Sequence, residues 1–311
     1  MTALRRATRV LPLLAAACLA TPAAHAVLPE GDPPTLATAW TLSPWALAPL
    51  LLLTALYAAG VQRLWRRAGR GRGVSGIEVG AFAAALAALV LAMVWPLDAL
   101  GEYALSAHMA QHMLLLALAP PLLLAARPFA VAATALPQPL AQALHRGLHR
   151  PMAALTRALA PATVAHAAVM LLWQLPGATT AALASEPLHW AMHASFLLAG
   201  LWFWAAVRQR LRAPDAGATG GLVALVSVMM LMGFLGALLT FAPRLLYPVY
   251  SNRALLVGMD PLVDQQLAGL VMWVPAALPY LVVGMWLVVA LLRRGARRAP
   301  AARPAARGGD A

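Results

Sequence analysis

Charge is what this chain has least of. Only 11% of its 311 residues are Asp, Glu, Lys or Arg, against about 25% in a soluble globular domain. Lysine is missing altogether, so all 23 basic residues are arginines. Cysteine occurs once, at Cys18. Each scarcity excludes something. No stretch outside the apolar runs is long enough to build a soluble core. If the leader that holds Cys18 is removed, no thiol remains for a disulfide or a Cys-based metal site. What is abundant is apolar surface: 62% of residues are hydrophobic and mean hydropathy is +0.75. The composition describes an all-α integral membrane protein, almost all of it in the bilayer. The apolar runs are too long and too evenly hydrophobic for the strands of an outer-membrane barrel.

The formal charge of +13 does not point to nucleic acid, because the arginines mark loops between apolar runs. Retention of basic loops on the cytoplasmic side explains them, with contact to anionic lipid head groups as a by-product.

Residues 1–26 read as a signal peptide. Arg5, Arg6 and Arg9 form its charged start, Val10 to Ala20 its apolar stretch, and Ala24-His25-Ala26 its cleavage site. An uncleaved anchor is the alternative; Cys18 lacks the upstream Leu of a lipidation site. A short outer segment, 27–44, precedes a membrane domain, 45–292. The Ala-, Arg- and Pro-rich tail 293–311 is expected to be disordered and cytoplasmic.

Seven spans of about 20 residues fit that domain: 45–61, 79–95, 103–126, 156–175, 188–207, 222–241 and 267–292. The loops between them alternate sharply. One set holds Arg63, Arg66, Arg67, Arg70 and Arg72, then Arg127, Arg146, Arg150 and Arg157, then Arg208, Arg210 and Arg212, with six more arginines in the tail. The other set holds only Arg244 and Arg253, among Glu30, Asp32, Asp98, Glu102, Glu186, Asp260 and Asp264. The mature N-terminus is therefore expected outside and the C-terminus inside. The stretch 127–151 contains four prolines and reads as a short amphipathic helix along the inner face.

Histidine carries the chemistry. His108/His112 and His189/His193 are pairs at four-residue spacing, which puts both imidazoles of a pair on one helix face. Both pairs fall near the outer ends of spans that enter from the same side. If those two helices are neighbours, four imidazoles converge at one depth. Ionisable groups inside a span are costly and by default suggest function, and neutral imidazole is the commonest metal ligand. Met109, Met113 and Met192 adjoin these histidines, and thioether with imidazole suits copper; methionine is also ordinary filler in a helix bundle. Asp264, opening the seventh span, and His166, in mid-span, are auxiliary candidates. Helix capping also accounts for Asp264, and a satisfied buried histidine for His166. Glu102, Glu186 and Asp260 could attract cations or orient imidazoles. His145/His149 lies among arginines on the opposite side. That position suits an inner-surface lipid contact and disfavours one three-box di-iron cluster. A haem protein or metal-dependent redox protein using the outer histidines remains a rival.

The run His108-Met109-Ala110-Gln111-His112-Met113-Leu114-Leu115, with Ala119-Pro120-Pro121-Leu122-Leu123 after it, resembles the signature of the CtaG family of cytochrome c oxidase assembly factors. Three further blocks fit in order. They are His189 with His193-Ala194-Ser195-Phe196 and Trp204; Gly236 to Thr240 with Tyr247-Pro248-Val249-Tyr250; and Asp264 to Leu270 with Met272-Trp273. The resemblance runs from about Trp45 to Leu292. It implies a non-enzymatic bacterial inner-membrane protein that partners cytochrome c oxidase subunits and handles copper. A metal-free chaperone for those subunits is the other reading it leaves. The chain departs from the pattern twice. Gln174 stands where Trp-His-x-Pro usually has its histidine, and Met192 where a Glu is common.

Overall fold

The computed structural model describes residues 32–212 and 217–298. The expected signal peptide with Cys18, and the tail beyond 298, lie outside the described residues. Among those described the chain is helical throughout, with no strand. In chain order the helices are α1 (Pro44–Ala68), α2 (Gly76–Met93), α3 (Leu97–Gly101), α4 (Leu105–Ala126), α5 (Pro128–Ala133), α6 (Gln138–Arg157) and α7 (Leu159–Trp173). Then come α8 (Pro176–Leu183), α9 (Glu186–Arg212), α10 (Ala218–Phe241), α11 (Arg253–Leu256), α12 (Pro261–Trp273) and α13 (Ala277–Arg298). Among the described residues, six spans are long and apolar enough to cross a membrane: α1, α2, α4, α9, α10, and α12 with α13. The bent pair α6–α7 makes a seventh if it counts as one. The chain is a multi-pass membrane protein.

The α6–α7 pair covers the fourth of the seven expected spans. The two helices meet at 81°, and α7 runs only over Leu159–Trp173, shorter than the 156–175 expected. Pro161 has no N–H to give the Arg157 carbonyl, and the Arg210 guanidinium donates to that carbonyl instead at 3.1 Å. Helix α6 buries no residue. Its exposed apolar positions are Leu140, Leu144, Leu148, Met152 and Leu155, one stripe at helical spacing. This is the amphipathic helix expected over 127–151, displaced toward the C-terminus. At the far end of the chain, α13 continues to Arg298, past the expected span end at 292.

Two local devices bring α4 and α9 together. Pro120 and Pro121 cannot donate back to Leu116 and Ala117, and the helix opens into a π turn over Leu114–Leu118. The Trp204 indole of α9 donates to the Leu116 carbonyl at 3.2 Å. Opposite it, Gly200 permits contact: a Cβ there would sit 2.8 Å from the same carbonyl oxygen. Small residues make the same close approach between α10 and α12. A Cβ on Gly269 would lie 2.5 Å from the Gly236 carbonyl oxygen and 2.4 Å from Thr240 Oγ1, the mode of packing membrane helices use.

Helix α4 has no side-chain cap of its own at Ala104. Asp264 of α12 supplies one, accepting the N–H groups of Leu105 at 2.6 Å and Ser106 at 3.0 Å. The first turn of α12 is capped separately by Asp260, which accepts from Leu262 and Val263. On the arginine-rich side, Ser75 and Glu78 form a capping box on α2, and Glu78 pairs with Arg127 at 2.5 Å.

Candidate metal centre

Four-residue spacing stacks His108 over His112 on α4 and His189 over His193 on α9, with ring centroids 4.3 and 4.2 Å apart. Because α4 and α9 touch, the two stacks face each other. His108 lies 6.3 Å from His189 and His112 6.1 Å from His193, centroid to centroid. All four are buried. The fold therefore brings the four rings together.

A carboxylate from the connection between the second and third expected spans joins them. Asp98 of the short helix α3 is buried. Its Oδ1 lies 3.0 Å from His189 Nε2 and 3.9 Å from His193 Nδ1. One ligand atom from each of Asp98, His189 and His193 falls within 4.8 Å of the others, a group that could hold a metal ion. Gln111 fixes the carboxylate by donating to the same oxygen at 2.7 Å and to the Ala92 carbonyl at 2.8 Å. Gln111 was visible only as a letter inside the His108–His112 run. Asp98 sits in the apolar connection Trp95-Pro96-Leu97-Asp98-Ala99-Leu100, and a lone acid between apolar residues was the available signal. Burial pushes the Asp98 pKa up. The His189 hydrogen bond and the charges of His189 and His193 outweigh burial and hold it below the ordinary carboxylate value.

Several ring nitrogens have nothing to bond. His112 Nε2 and both nitrogens of His193 are buried without a hydrogen-bond partner, although buried polar atoms are nearly always paired. Phe196 stacks on His112 at 4.1 Å and fixes that ring. Above the cluster, Tyr250 donates to the Gly101 carbonyl at 2.8 Å and Arg253 to that of Glu102 at 2.9 Å. A cavity of about 300 Å³ lies against Asp98 and His189, with Thr41, Glu102 and Glu186 in its wall. Burial, and then the Asp98 charge, push the Glu102 carboxyl up from its ordinary value.

The model of the cytochrome c oxidase caa3 assembly factor family matches residues 55–294. The chain belongs to this family. Searches of curated proteins and of solved structures find no match. The matched region takes in α2 to α12 and every residue of the cluster.

The other candidates named from sequence lie elsewhere or point elsewhere. Asp264 gives both oxygens to the N-terminus of α4. His166 bonds the Tyr280 hydroxyl at 2.9 Å and packs on Phe203, which is about 15 Å further along α9 than His193. Met109 turns its sulfur toward Gln174 Nε2, at 3.4 Å. Met113 and Met192 are buried in the core. Gln174, in place of the family histidine, donates to Met272 Sδ at 2.9 Å. It also accepts from the Tyr247 hydroxyl on both its side chain, at 2.9 Å, and its main chain, at 2.6 Å. His145 and His149 lie together on α6, 5.2 Å apart, on exposed positions of that helix.

Proposed function

We propose that this chain is a seven-span assembly factor of the bacterial inner membrane that carries copper as cargo and passes it to an apo-subunit of cytochrome c oxidase. Residues 1–26 act as its signal peptide, the mature N-terminus is periplasmic and the C-terminus cytoplasmic. The cargo sits among His108, His112, His189 and His193, with Asp98 as a fifth donor or as the group that orients His189. The observation that carries the reading is the set of unpartnered buried ring nitrogens on His112 and His193, which have a reason to exist if an ion binds them. Imidazole donors suit copper. The rings pack edge to face, which favours a single ion over the flat slot a haem needs. Membership of an assembly-factor family supports handling rather than catalysis as the role.

The test is replacement of His112 and His193 together by Ala. Oxidase activity and copper in the purified protein are expected to fall while the protein still accumulates in the membrane. Normal oxidase activity in that variant removes the copper reading and leaves a metal-free chaperone. Alkaline phosphatase fusions after Gly177 and Asn252 are expected to be active, and those after Gly73 inactive.

A further inference from the structure

The four histidines are not equally sealed. His108, His112 and His193 are at most 1% exposed, and His189 is 9% exposed. It is His189, with Asp98, that meets the cavity of about 300 Å³. Thr41 and Ser43, ahead of α1, form one side of its wall, and the start of α9, with Glu186 and Trp190, forms another. Asp98 of α3 and Glu102, just after that helix, complete the polar lining. We propose that this cavity is the port of the histidine site: a hydrated divalent transition-metal ion enters it from the arginine-poor side, is held by Glu102 and Glu186, and passes over Asp98 to His189.

The port serves the cluster read above as a copper site, and rests on that reading. Among the described residues, the charged groups in the wall are all carboxylates: Asp98, Glu102 and Glu186. Arg253 lies outside the wall, close enough for its charge to act on Glu102. A cleft lined by one sign of charge concentrates the opposite ion. Carboxylate and water oxygens suit harder, hydrated ions, whereas Cu(I) selects sulfur, and the described wall contains no sulfur. Six waters at about 30 Å³ each take about 180 Å³, so the ion fits with its water shell. Polar groups here also lack partners. Ser43 Oγ, in the wall, is buried without a hydrogen bond. Past Asp98, both ring nitrogens of the fully buried His193 have none, and its Nδ1 lies 3.9 Å from Asp98 Oδ1. The route thus runs from oxygen donors at the mouth to nitrogen donors inside, and the ion gives up its water stepwise along it.

The experiment uses the full-length protein in phosphatidylcholine nanodiscs, mixed with cupric chloride at low salt. Bound copper is counted at intervals after a chelator quench. Glu102→Gln combined with Glu186→Gln is expected to slow loading about tenfold, and the difference should shrink at high salt as the charges are screened. At saturating copper this variant still fills, because the two carboxylates hold the ion only in transit. Ala184→Trp, at an exposed position of the wall, blocks the cavity with every carboxylate intact and should slow loading as much; it covers the case in which the charge variant fails to fold. Asp32→Asn, an exposed acid outside the described wall, should leave the rate unchanged. Wild-type loading in either folded cavity variant overturns the port. So does a slowing in Asp32→Asn equal to that of the charge variant, which would mean attraction to an acidic face only. Replacing His112 and His193 by Ala separates the two levels. Copper binding lost there, with loading unaltered in the cavity variants, leaves the copper site without this port; copper binding kept there removes the site and the port together.

Discussion

Asp264 Oδ2 lies 2.6 Å from the main-chain nitrogen of Leu105. A carboxylate on α12 thereby starts the helix that carries His108 and His112. A capping side chain replaced by Ala usually costs about 1 kcal/mol. Here two N–H groups lose a buried, charged acceptor, so the cost rises to about 2–3 kcal/mol. Asp264→Ala is expected to lower the midpoint of thermal unfolding in detergent and to weaken metal binding with it. Asp264→Asn keeps one acceptor oxygen and should recover part of both. Unchanged unfolding in Asp264→Ala would show that the first turn of α4 is held in some other way.

Asp98 is expected to act on affinity rather than on folding. Asp98→Asn removes the charge that His189 and His193 face, while an amide oxygen still accepts from Gln111. Loss of a ligand-orienting carboxylate typically weakens metal binding 10–100-fold. Copper titration of the purified variant should show a loss of that order with the unfolding midpoint little changed. A larger shift in unfolding than in affinity would make Asp98 a structural anchor.

Much of this site was legible because it follows from periodicity. Four-residue spacing puts each histidine pair on one helix face, and the alternating arginine count leads one to expect both pairs at one depth, without any knowledge of packing. What they could not give was the neighbour relation of α4 and α9. That rests on the Pro120–Pro121 pair, the Trp204 indole and the absence of a Cβ at Gly200, none of which has a period. Asp98 was missed for a related reason. It belongs to a five-residue helix outside the spans, and its importance comes from a fold-back that only tertiary structure shows. Asp264 opens the seventh span in the sequence, yet it caps a different helix, because a side chain can reach an N-terminus far away in sequence. The fourth expected span is left as α7, half of a bent pair that makes a seventh span only if it counts as one; the bend at Ala158 takes its first residues, and the break before Pro176 its last.

Gln174 stands where the family pattern has a histidine, and its neighbours make it a structural residue. Its amide nitrogen faces the sulfurs of Met109 and Met272, both weak acceptors, and Tyr247 keeps a main-chain acceptor on the same residue whatever the side chain. Gln174→Leu is therefore expected to cost only about 1 kcal/mol and to leave copper stoichiometry unchanged. If copper content falls in this variant, residue 174 belongs to the ligand set after all.

The close approach of α10 and α12 should tolerate little added bulk. At Gly269 a Cβ would meet the Gly236 carbonyl oxygen at 2.5 Å, the Thr240 main-chain nitrogen at 2.7 Å and Thr240 Oγ1 at 2.4 Å. Two of these three are main-chain atoms, which cannot rotate away, so α10 and α12 must separate. Gly269→Ala is expected to destabilise by about 1–3 kcal/mol, the usual range for overpacking. Separation also shifts Asp264, a little over one turn earlier on α12, away from Leu105 and Ser106. The variant should therefore lose metal affinity as well as stability. Gly220→Ala supplies the comparison, because a Cβ there meets only Leu159 Cδ2, at an ordinary 3.8 Å, and a slight gain from reduced backbone freedom is expected. Measuring unfolding and copper binding for both variants separates a packing effect carried through α12 from a general sensitivity to added methyl groups. Equal losses in the two would break the link from Gly269 through Asp264 to the histidines.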